Sequence, residues 1–188
     1  MMAATDQVAG DPILDAALAA VMDVGLRRTT LADVARRAGV SRMTVYRQYP
    51  DLDSIVGALL TRELTALLAQ VESELAPLPT ARERLVQAAV RTVHRMDDHP
   101  LYRRVLDLDP ELLLPLIVDR FGSTQRAAME LIADQVREGR HDGSIRAVDP
   151  DQAATAILLT AQSFVFSARL VDEAALHELG HMLEAYLS

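Results

Sequence analysis

The chain contains no cysteine among its 188 residues. That absence excludes a disulfide scaffold, a thiolate metal site and a cysteine nucleophile. The N-terminus lacks the basic segment and apolar run that are typical of a secretory signal. Polar residues and one arginine interrupt the most apolar stretch, 153–171, whereas a membrane span needs about 20 mostly apolar residues. Because 50% of the residues are hydrophobic, we expect a soluble cytoplasmic protein with a sizeable core.

Lysine is also absent, and all 19 basic residues are arginine. The net charge of −8 is distributed unevenly, because the segment 25–48 carries +5 and the rest of the chain −13. A small basic module joined to an acidic body is typical of a protein that meets phosphate at one end. The segment has one acid, Asp33, and six arginines: Arg27, Arg28, Arg36, Arg37, Arg42 and Arg47.

Strand signals are missing, since there is no convincing period-2 alternation and no Asn-Gly hairpin turn. Asp-Pro pairs beginning at Asp11, Asp109 and Asp149 mark three helix starts. The pattern predicts an all-α fold of about nine helices, with a kink or break at Pro115 and a loop from Gly139 to Ala147. Helices are predicted at about 12–24, 31–38, 42–49, 52–75, 80–97, 100–107, 110–138, 150–170 and 172–187.

Two short helices joined by a glycine-containing turn form the most informative motif. Thr30 and Asp33 form a predicted capping box, in which each side chain accepts from the other residue's amide. After the turn at Gly39, Ser41 caps the second helix. This arrangement predicts a helix-turn-helix, whose second helix enters the DNA major groove with its N-terminal residues at base edges. A helical hairpin with merely solvated arginines is the alternative.

The motif residues resemble the DNA-binding segment of the TetR family of bacterial transcriptional repressors. The similarity covers roughly residues 12–60 and is carried by Thr29-Thr30, Val34-Ala35, Ala38-Gly39-Val40-Ser41, Thr44-Val45-Tyr46 and Tyr49. The resemblance implies a helix-turn-helix domain over 1–51 and a ligand-binding and dimerisation bundle over 52–188. The residues expected to contact DNA are Arg27, Arg28, Thr30, Ser41, Arg42, Met43, Thr44, Tyr46, Arg47 and Tyr49.

The sequence departs from the family pattern at two places. Met43 stands where the family often has glycine or proline, and its side chain could pack on a thymine methyl. Leu52, between Asp51 and Asp53, stands where the family usually has a lysine that meets a phosphate. We expect these two acids to weaken DNA binding, and Arg27, Arg28 or the end of the first helix to compensate.

The resemblance also implies a small-molecule effector, a homodimer through the last two helices, a palindromic operator and no cofactor. Apolar stripes that each contain one glutamine predict an apolar ligand, and plain core packing is the alternative. Small residues and a leucine stripe would line the dimer interface, where Gln162 could also pair with its own copy. The pocket candidates are Phe121, Gln125, Met129, Gln162 and Phe166. The interface candidates are Ala153, Ala154, Ala156, Ala161, Leu176, Leu179, Leu183 and Leu187.

Two histidine-containing clusters suggest other functions. His177, Glu178 and His181 spell the HExxH signature of zinc-dependent hydrolases. A catalytic zinc needs a third protein ligand, and only Glu184, on the same helix, follows. We therefore favour a solvated helix face over a surface metal site or a hydrolase, and expect no enzyme activity. The cluster of His94, Asp97, Asp98 and His99 could hold a metal, or mark a helix end and the next helix cap.

Overall fold

The computed structural model describes residues 10–108, 121–167, 170 and 172–188. Within those residues the chain forms nine α-helices, one short 3₁₀ helix at Leu26–Arg28 and no strand, which confirms the predicted all-α fold. The predicted helix start at Asp109 and the kink at Pro115 lie outside the described residues. The helices are α1 (Pro12–Val24), α2 (Leu31–Ala38), α3 (Arg42–Gln48), α4 (Leu52–Leu75), α5 (Ala81–Asp98), α6 (Pro100–Leu108), α7 (Ser123–Asp142), α8 (Pro150–Ser167) and α9 (Glu173–Leu187).

The predicted capping box at the start of α2 is only half formed. Thr30 Oγ1 accepts from the Asp33 amide at 3.1 Å. The Asp33 carboxylate does not reach back to Thr30, because it pairs with Arg36 and Arg37 instead. A complete capping box begins α5, where Glu83 and Thr80 accept from each other's amides. Glutamate has the extra methylene that this reciprocal contact needs, which explains why it succeeds where aspartate does not.

The predicted loop from Gly139 to Ala147 is wrong at its start, because α7 continues to Asp142. Gly139 is a buried helical residue, and Ile145 packs directly against it. The Ile145 amide also donates to the Gly139 carbonyl at 2.8 Å. The missing side chain at Gly139 therefore admits Ile145 and does not end the helix.

The chain divides into two compact units. The first comprises Met1–Leu64 and Pro100–Thr124, and its described core contains Leu14, Val21, Val34, Val45, Ile55 and Leu59. Within it, the half-buried Asp15–Arg62 ion pair, at 2.7 Å, joins α1 to α4. The second unit comprises Thr65–His99 and Gln125–Ser188, and its core is built by α5, α7, α8 and α9.

The helix α4 has residues in both units. It is long and apolar enough to cross a membrane by length and composition. Its apolar side chains are nevertheless used in core packing, with Ile55 and Leu59 buried in the first unit and Val71 and Leu75 in the second. A buried core helix passes the same length and composition test as a membrane helix, so core packing accounts for its apolar character.

Candidate DNA-binding interface

The short helix α3 is fixed at its N-terminal end and at its centre. Ser41 Oγ accepts from the Thr44 amide at 3.1 Å and lies 2.9 Å from Thr44 Oγ1. Gly39 supplies the left-handed backbone of the preceding turn, with φ of 68°. Val45 is fully buried and anchors the helix to the core of the first unit. The predicted turn and cap are therefore present, and α3 ends at Gln48, one residue earlier than expected.

The outward face of α3 carries two arginines, a methionine and a tyrosine. Arg42 and Arg47 are exposed, and no carboxylate among the described residues pairs with either guanidinium group. Met43 is 76% exposed and Tyr46 is 50% exposed. Burying a large exposed apolar side chain against an apolar partner lowers the free energy. This face combines unpaired cations with apolar groups, as a surface that contacts phosphates and base edges requires.

Not all six arginines of the basic segment point outward without partners. Arg37 bridges Asp23 of α1 at 2.6 Å and Asp33 of α2 at 2.8 Å, so it joins the two helices. Arg36 also pairs with Asp33. The hydrogen bonds from Arg36 and then Arg37 hold the pKa of the Asp33 carboxyl below its usual value. Arg37 is therefore structural, a distinction that charge counting along the sequence did not make.

Three further predicted DNA contacts lie on two segments that precede α3. Arg27 and Arg28 are exposed on the 3₁₀ helix, and Thr30 is exposed at the start of α2. Asp51 begins α4 by accepting from the Ser54 amide at 2.7 Å. Asp51 therefore caps α4, directly before Leu52, the position at which the family usually has a phosphate-contacting lysine.

The Tyr49 hydroxyl, also a predicted DNA contact, is engaged within the chain. Its hydroxyl donates to Asp11 Oδ2 at 2.8 Å, and Gln48 Nε2 donates to the same oxygen at 2.9 Å. Burial, and then the bond to Asp11, raises the pKa of Tyr49 to about 12, so the hydroxyl stays protonated as a donor. Sequence reasoning identified Asp11 only as the start of α1. It missed the contacts of Asp11 with Gln48 and Tyr49, because these residues lie 37 and 38 positions further along the chain.

The second unit brings the two predicted pocket glutamines together. Gln125 is 8% exposed and donates from Nε2 to Gln162 Oε1 at 3.2 Å. Met129 Sδ accepts from Thr155 Oγ1 of α8 at 3.8 Å, so it also faces that helix. Phe166 is 43% exposed, and Phe121 belongs to the first unit. The glutamine pair is thus the part of the predicted pocket that the second unit assembles by itself.

The leucine stripe of α9 was predicted to face a dimer partner, but in the structure it faces inward. Leu179, Leu183 and Leu187 are at most 3% exposed and pack into the core of their own unit. Ala153 and Ala154 are buried in the same way. Leu159 and Phe166 are exposed and lie seven positions apart on α8. The other exposed large apolar residues described in this unit are Leu131, Leu170 and Met182. An extended α8 face of Ala156, Leu159, Ser163 and Phe166 is therefore exposed in this chain.

The first histidine cluster lies on an exposed helix surface, whereas the second includes His99, which follows the end of α5 and is only partly exposed. His181 Nδ1 is 3.4 Å from Glu178 Oε1, and both side chains are at least 70% exposed. His94 Nδ1 lies 3.5 Å from Asp98 Oδ2 in a similar setting. Among the described residues, no group of three or more histidine, aspartate or glutamate side chains is arranged to hold a metal ion. The geometry gives the zinc-hydrolase alternative no support.

The outward arrangement of the helix-turn-helix agrees with what this chain resembles. Residues 13–59 match the sequence model of a family described as bacterial regulatory proteins, tetR family. An uncharacterised HTH-type transcriptional regulator of Mycobacterium bovis is 40% identical over 184 residues, which cover 95% of this chain and 94% of the relative. The HTH-type transcriptional regulator TtgR of Pseudomonas putida is 38% identical over 80 residues, or 40% of this chain and 38% of TtgR.

Solved structures share the fold at lower identity. The TetR-family repressor QsdR of R. erythropolis has a TM-score of 0.75 at 16% identity, covering 93% of this chain and 92% of QsdR. The regulator FadR of Bacillus subtilis, solved with stearoyl-CoA, has a TM-score of 0.65 at 18% identity, covering 94% and 98%. These likenesses support the all-α fold. Since a 40% identical HTH-type regulator matches nearly the whole chain and the family's own pattern matches its helix-turn-helix, the chain belongs to the TetR family of bacterial transcriptional regulators.

Proposed function

We propose that this regulator is a cytoplasmic repressor that binds a palindromic DNA operator as a homodimer and is released by a small apolar ligand. The observation that carries the DNA-binding part is the outward face of α3, with Arg42 and Arg47 unpaired by any described carboxylate. Arg42 and Arg47 can donate to guanine edges or phosphates, and Ser41, Thr44 and Tyr46 to phosphate oxygens. Arg27, Arg28 and Thr30 lie just before α2 and would add further phosphate contacts.

We propose that Met43 gives the interface a base preference in addition to affinity. It is at the second position of α3 and is 76% exposed. The first residues of a recognition helix meet base edges, and the methyl group of thymine is the apolar feature of the major groove. We therefore expect a thymine in each half-site at the position that faces Met43.

Selection from a random duplex library tests the DNA-binding proposal. The retained DNA should contain a palindrome whose half-sites lie about 34–36 Å apart, since a two-fold dimer presents two recognition helices. A variant with both Arg42→Ala and Arg47→Ala should retain nothing specific. The matched control Arg140→Ala removes an exposed arginine of the second unit and should select the same sequence. Selection of no duplex by the wild type would contradict the proposal.

Repression is tested separately from binding. The selected palindrome is placed across a bacterial promoter that drives a reporter gene. A bound dimer occupies the polymerase site, so we expect reporter output to fall with the wild type and to recover with the double arginine variant. A rise in output with the wild type would make the protein an activator.

The homodimer proposal is supported by exposed apolar residues of the second unit. Leu159, Phe166 and Met182 are 43–53% exposed, on helices whose other faces are buried in the core. A second copy related by a two-fold axis can cover such a face with the same face of its own. Ala156, also exposed on α8, would let the two helices approach closely.

The ligand proposal is supported by the glutamine pair and by the apolar stripes that the two glutamines interrupt in the sequence. Gln125 and Gln162 join α7 to α8 through one hydrogen bond, and Met129 lies on the same side of α7. Apolar pockets commonly carry a few polar groups that orient the ligand. FadR of Bacillus subtilis, which shares the fold, was solved with stearoyl-CoA. We propose a ligand with a long apolar part and one polar group that exchanges hydrogen bonds with this pair.

The ligand response would pass through α4, the helix that has residues in both units. Its Arg62 pairs with Asp15 of α1, so a shift of α4 is transmitted to the DNA-binding module. A ligand releases DNA only if it binds the DNA-incompetent arrangement more tightly. Stearoyl-CoA and stearate serve as probes in a DNA-release titration. Release by wild type but not by Gln125→Leu would support the pocket, and equal release by both would displace it from Gln125.

A further inference from the structure

Asp11 lies where two elements of the DNA-binding module meet. Its Oδ1 accepts from the Ile13 amide at 2.8 Å, which makes it the N-cap of α1. Its Oδ2 accepts from the Tyr49 hydroxyl at 2.8 Å and from Gln48 Nε2 at 2.9 Å. Both donors lie at the C-terminal end of α3. One carboxylate therefore begins α1 and holds the last turn of the outward-facing helix.

The last turn of α3 has few other supports. The helix has seven residues, and helices this short are marginal without tertiary contacts. Ser41 fixes its start and Val45 its centre, whereas at its end the Tyr49 amide bonds back to the Val45 carbonyl at 2.7 Å. The following Pro50 cannot donate a backbone hydrogen bond. The contacts of Gln48 and Tyr49 with Asp11 are therefore the described side-chain hydrogen bonds that tie the end of α3, next to Arg47, to another helix.

We propose that Asp11 is a positioning residue for DNA recognition, and that Tyr49 acts through Asp11 and does not donate its hydroxyl to a phosphate. This inference rests on the proposed function, because it assigns how the recognition helix of that function is held. A carboxylate in a DNA-binding module repels phosphate, so its removal by itself should strengthen binding. Loss of positioning should weaken binding. The two effects differ in sign, and the sign decides the role.

A matched pair of variants separates the two effects. Asp11→Ser removes the charge and both contacts to α3 but keeps the N-cap, since serine caps helices about as well as aspartate. Asp51→Ser makes the same change at the N-cap of α4, where Asp51 bonds with Ser54. Tyr49→Phe removes only the hydroxyl that Asp11 accepts.

Amide hydrogen exchange of the full-length protein without DNA tests the positioning directly. In Asp11→Ser, we expect exchange across residues 42–49 to accelerate by at least about fivefold, as the loss of one to two hydrogen bonds predicts. Residues 13–24 should keep the wild-type rates because the cap remains. In Asp51→Ser, residues 42–49 should keep those rates too. Unchanged exchange at 42–49 in Asp11→Ser, or an equal acceleration throughout α1, would overturn the proposal.

Binding to the duplex selected by the wild type gives the second test. Asp11→Ser should bind at least about fivefold more weakly, and Asp51→Ser as well as the wild type or better. Because Tyr49 acts through Asp11, the variant that combines Asp11→Ser with Tyr49→Phe should lose no more affinity than Asp11→Ser alone. Additive losses, or tighter binding by Asp11→Ser, would overturn the proposal. If the wild type selects no duplex, the proposed function fails, and the exchange measurement still decides whether Asp11 holds α3.

Discussion

The exposed face of α3 and the exposed face of α8 differ in the kind of partner that each suits. The first presents two arginines that no described carboxylate pairs, beside Met43 and Tyr46. The second presents Leu159 and Phe166 without a charged residue between them. Charges act over a distance and are screened by salt, whereas apolar contacts act only where water is excluded. The two faces should therefore respond to different perturbations, even though both are expected to be needed for DNA binding.

Salt should separate the two faces most strongly. With roughly 6–10 phosphate contacts per dimer, DNA affinity should fall by about 10³–10⁵ between 50 and 200 mM salt. Dimer association should change little over that range, because the α8 face carries no charged residue between Ala156 and Phe166. Fluorescence anisotropy and analytical ultracentrifugation at matched salt measure both. A DNA affinity that is flat across this range would remove the electrostatic basis of the proposed interface.

A charge on the α8 face should break the dimer and leave the fold intact. Leu159 is 49% exposed, so Leu159→Glu should give a folded monomer that no longer binds the operator. Leu183 is 3% exposed, and burying a charge there should cost several kcal/mol and unfold the second unit. Sedimentation and circular dichroism distinguish these outcomes. If Leu159→Glu remains a dimer at micromolar concentration, the interface lies elsewhere.

Two arginines of the basic segment should separate recognition from stability. Arg47→Ala should lower operator affinity by about 1–3 kcal/mol, and selectively at one base pair if Arg47 reads guanine. Arg37→Ala removes the bridge between Asp23 and Asp33, so it should lower the melting temperature. Binding isotherms on single-base operator variants and thermal melts make the comparison. A uniform loss across those variants would assign Arg47 to a phosphate, and no loss would remove it from the interface.

Two helical glycines, one in each unit, should respond oppositely to alanine. A Cβ at Gly139 would overlap the Ile145 side chain, so Gly139→Ala should destabilise the fold by about 1–3 kcal/mol. Among the described residues, no atom lies within 4 Å of a Cβ at Gly57 of α4. Gly57→Ala should therefore stabilise by about 0.5–1 kcal/mol, the helix preference of alanine over glycine. Urea unfolding measures both, and a neutral Gly139→Ala would mean that Ile145 can move aside.

Most of the helix-turn-helix could be predicted from the sequence because its signals are local. Caps at Asp11, Thr30 and Ser41 and glycine turns at Gly25 and Gly39 act within a few residues, and all are found in the structure. The role of Arg37 could not be predicted, because Asp23 lies 14 positions away. Local chemistry therefore places the helices, and tertiary contacts decide which side chains remain available.

The second unit was less predictable because one residue type serves two purposes there. Leucines at helical spacing on α9 fit a dimer face and a core equally well, and packing against α5 decides for the core. Gly139 likewise fits a helix end and a close approach, and Ile145 decides between them. The pairing of Gln125 with Gln162 was closer to prediction, since each glutamine interrupts an apolar stripe.

The smallest expected effect is a loss of folding stability at acid pH that depends on Asp142 of the second unit. Bonds from Ser144, and then from the Ala81 amide at 3.0 Å, lower the pKa of its carboxyl from 3.8 to about 2. Because the folded-state pKa is the lower one, the charged form stabilises the fold at pH above about 4. That contribution is lost as the pH falls toward 2. Asp33 and Glu74 have lowered pKa values too, so the slope must be compared between variants. Urea unfolding from pH 5 to pH 2 should show a shallower loss of stability in Asp142→Ala than in the wild type. Parallel curves would mean that the bonds of Asp142 to Ala81 and Ser144 add no pH-dependent stability.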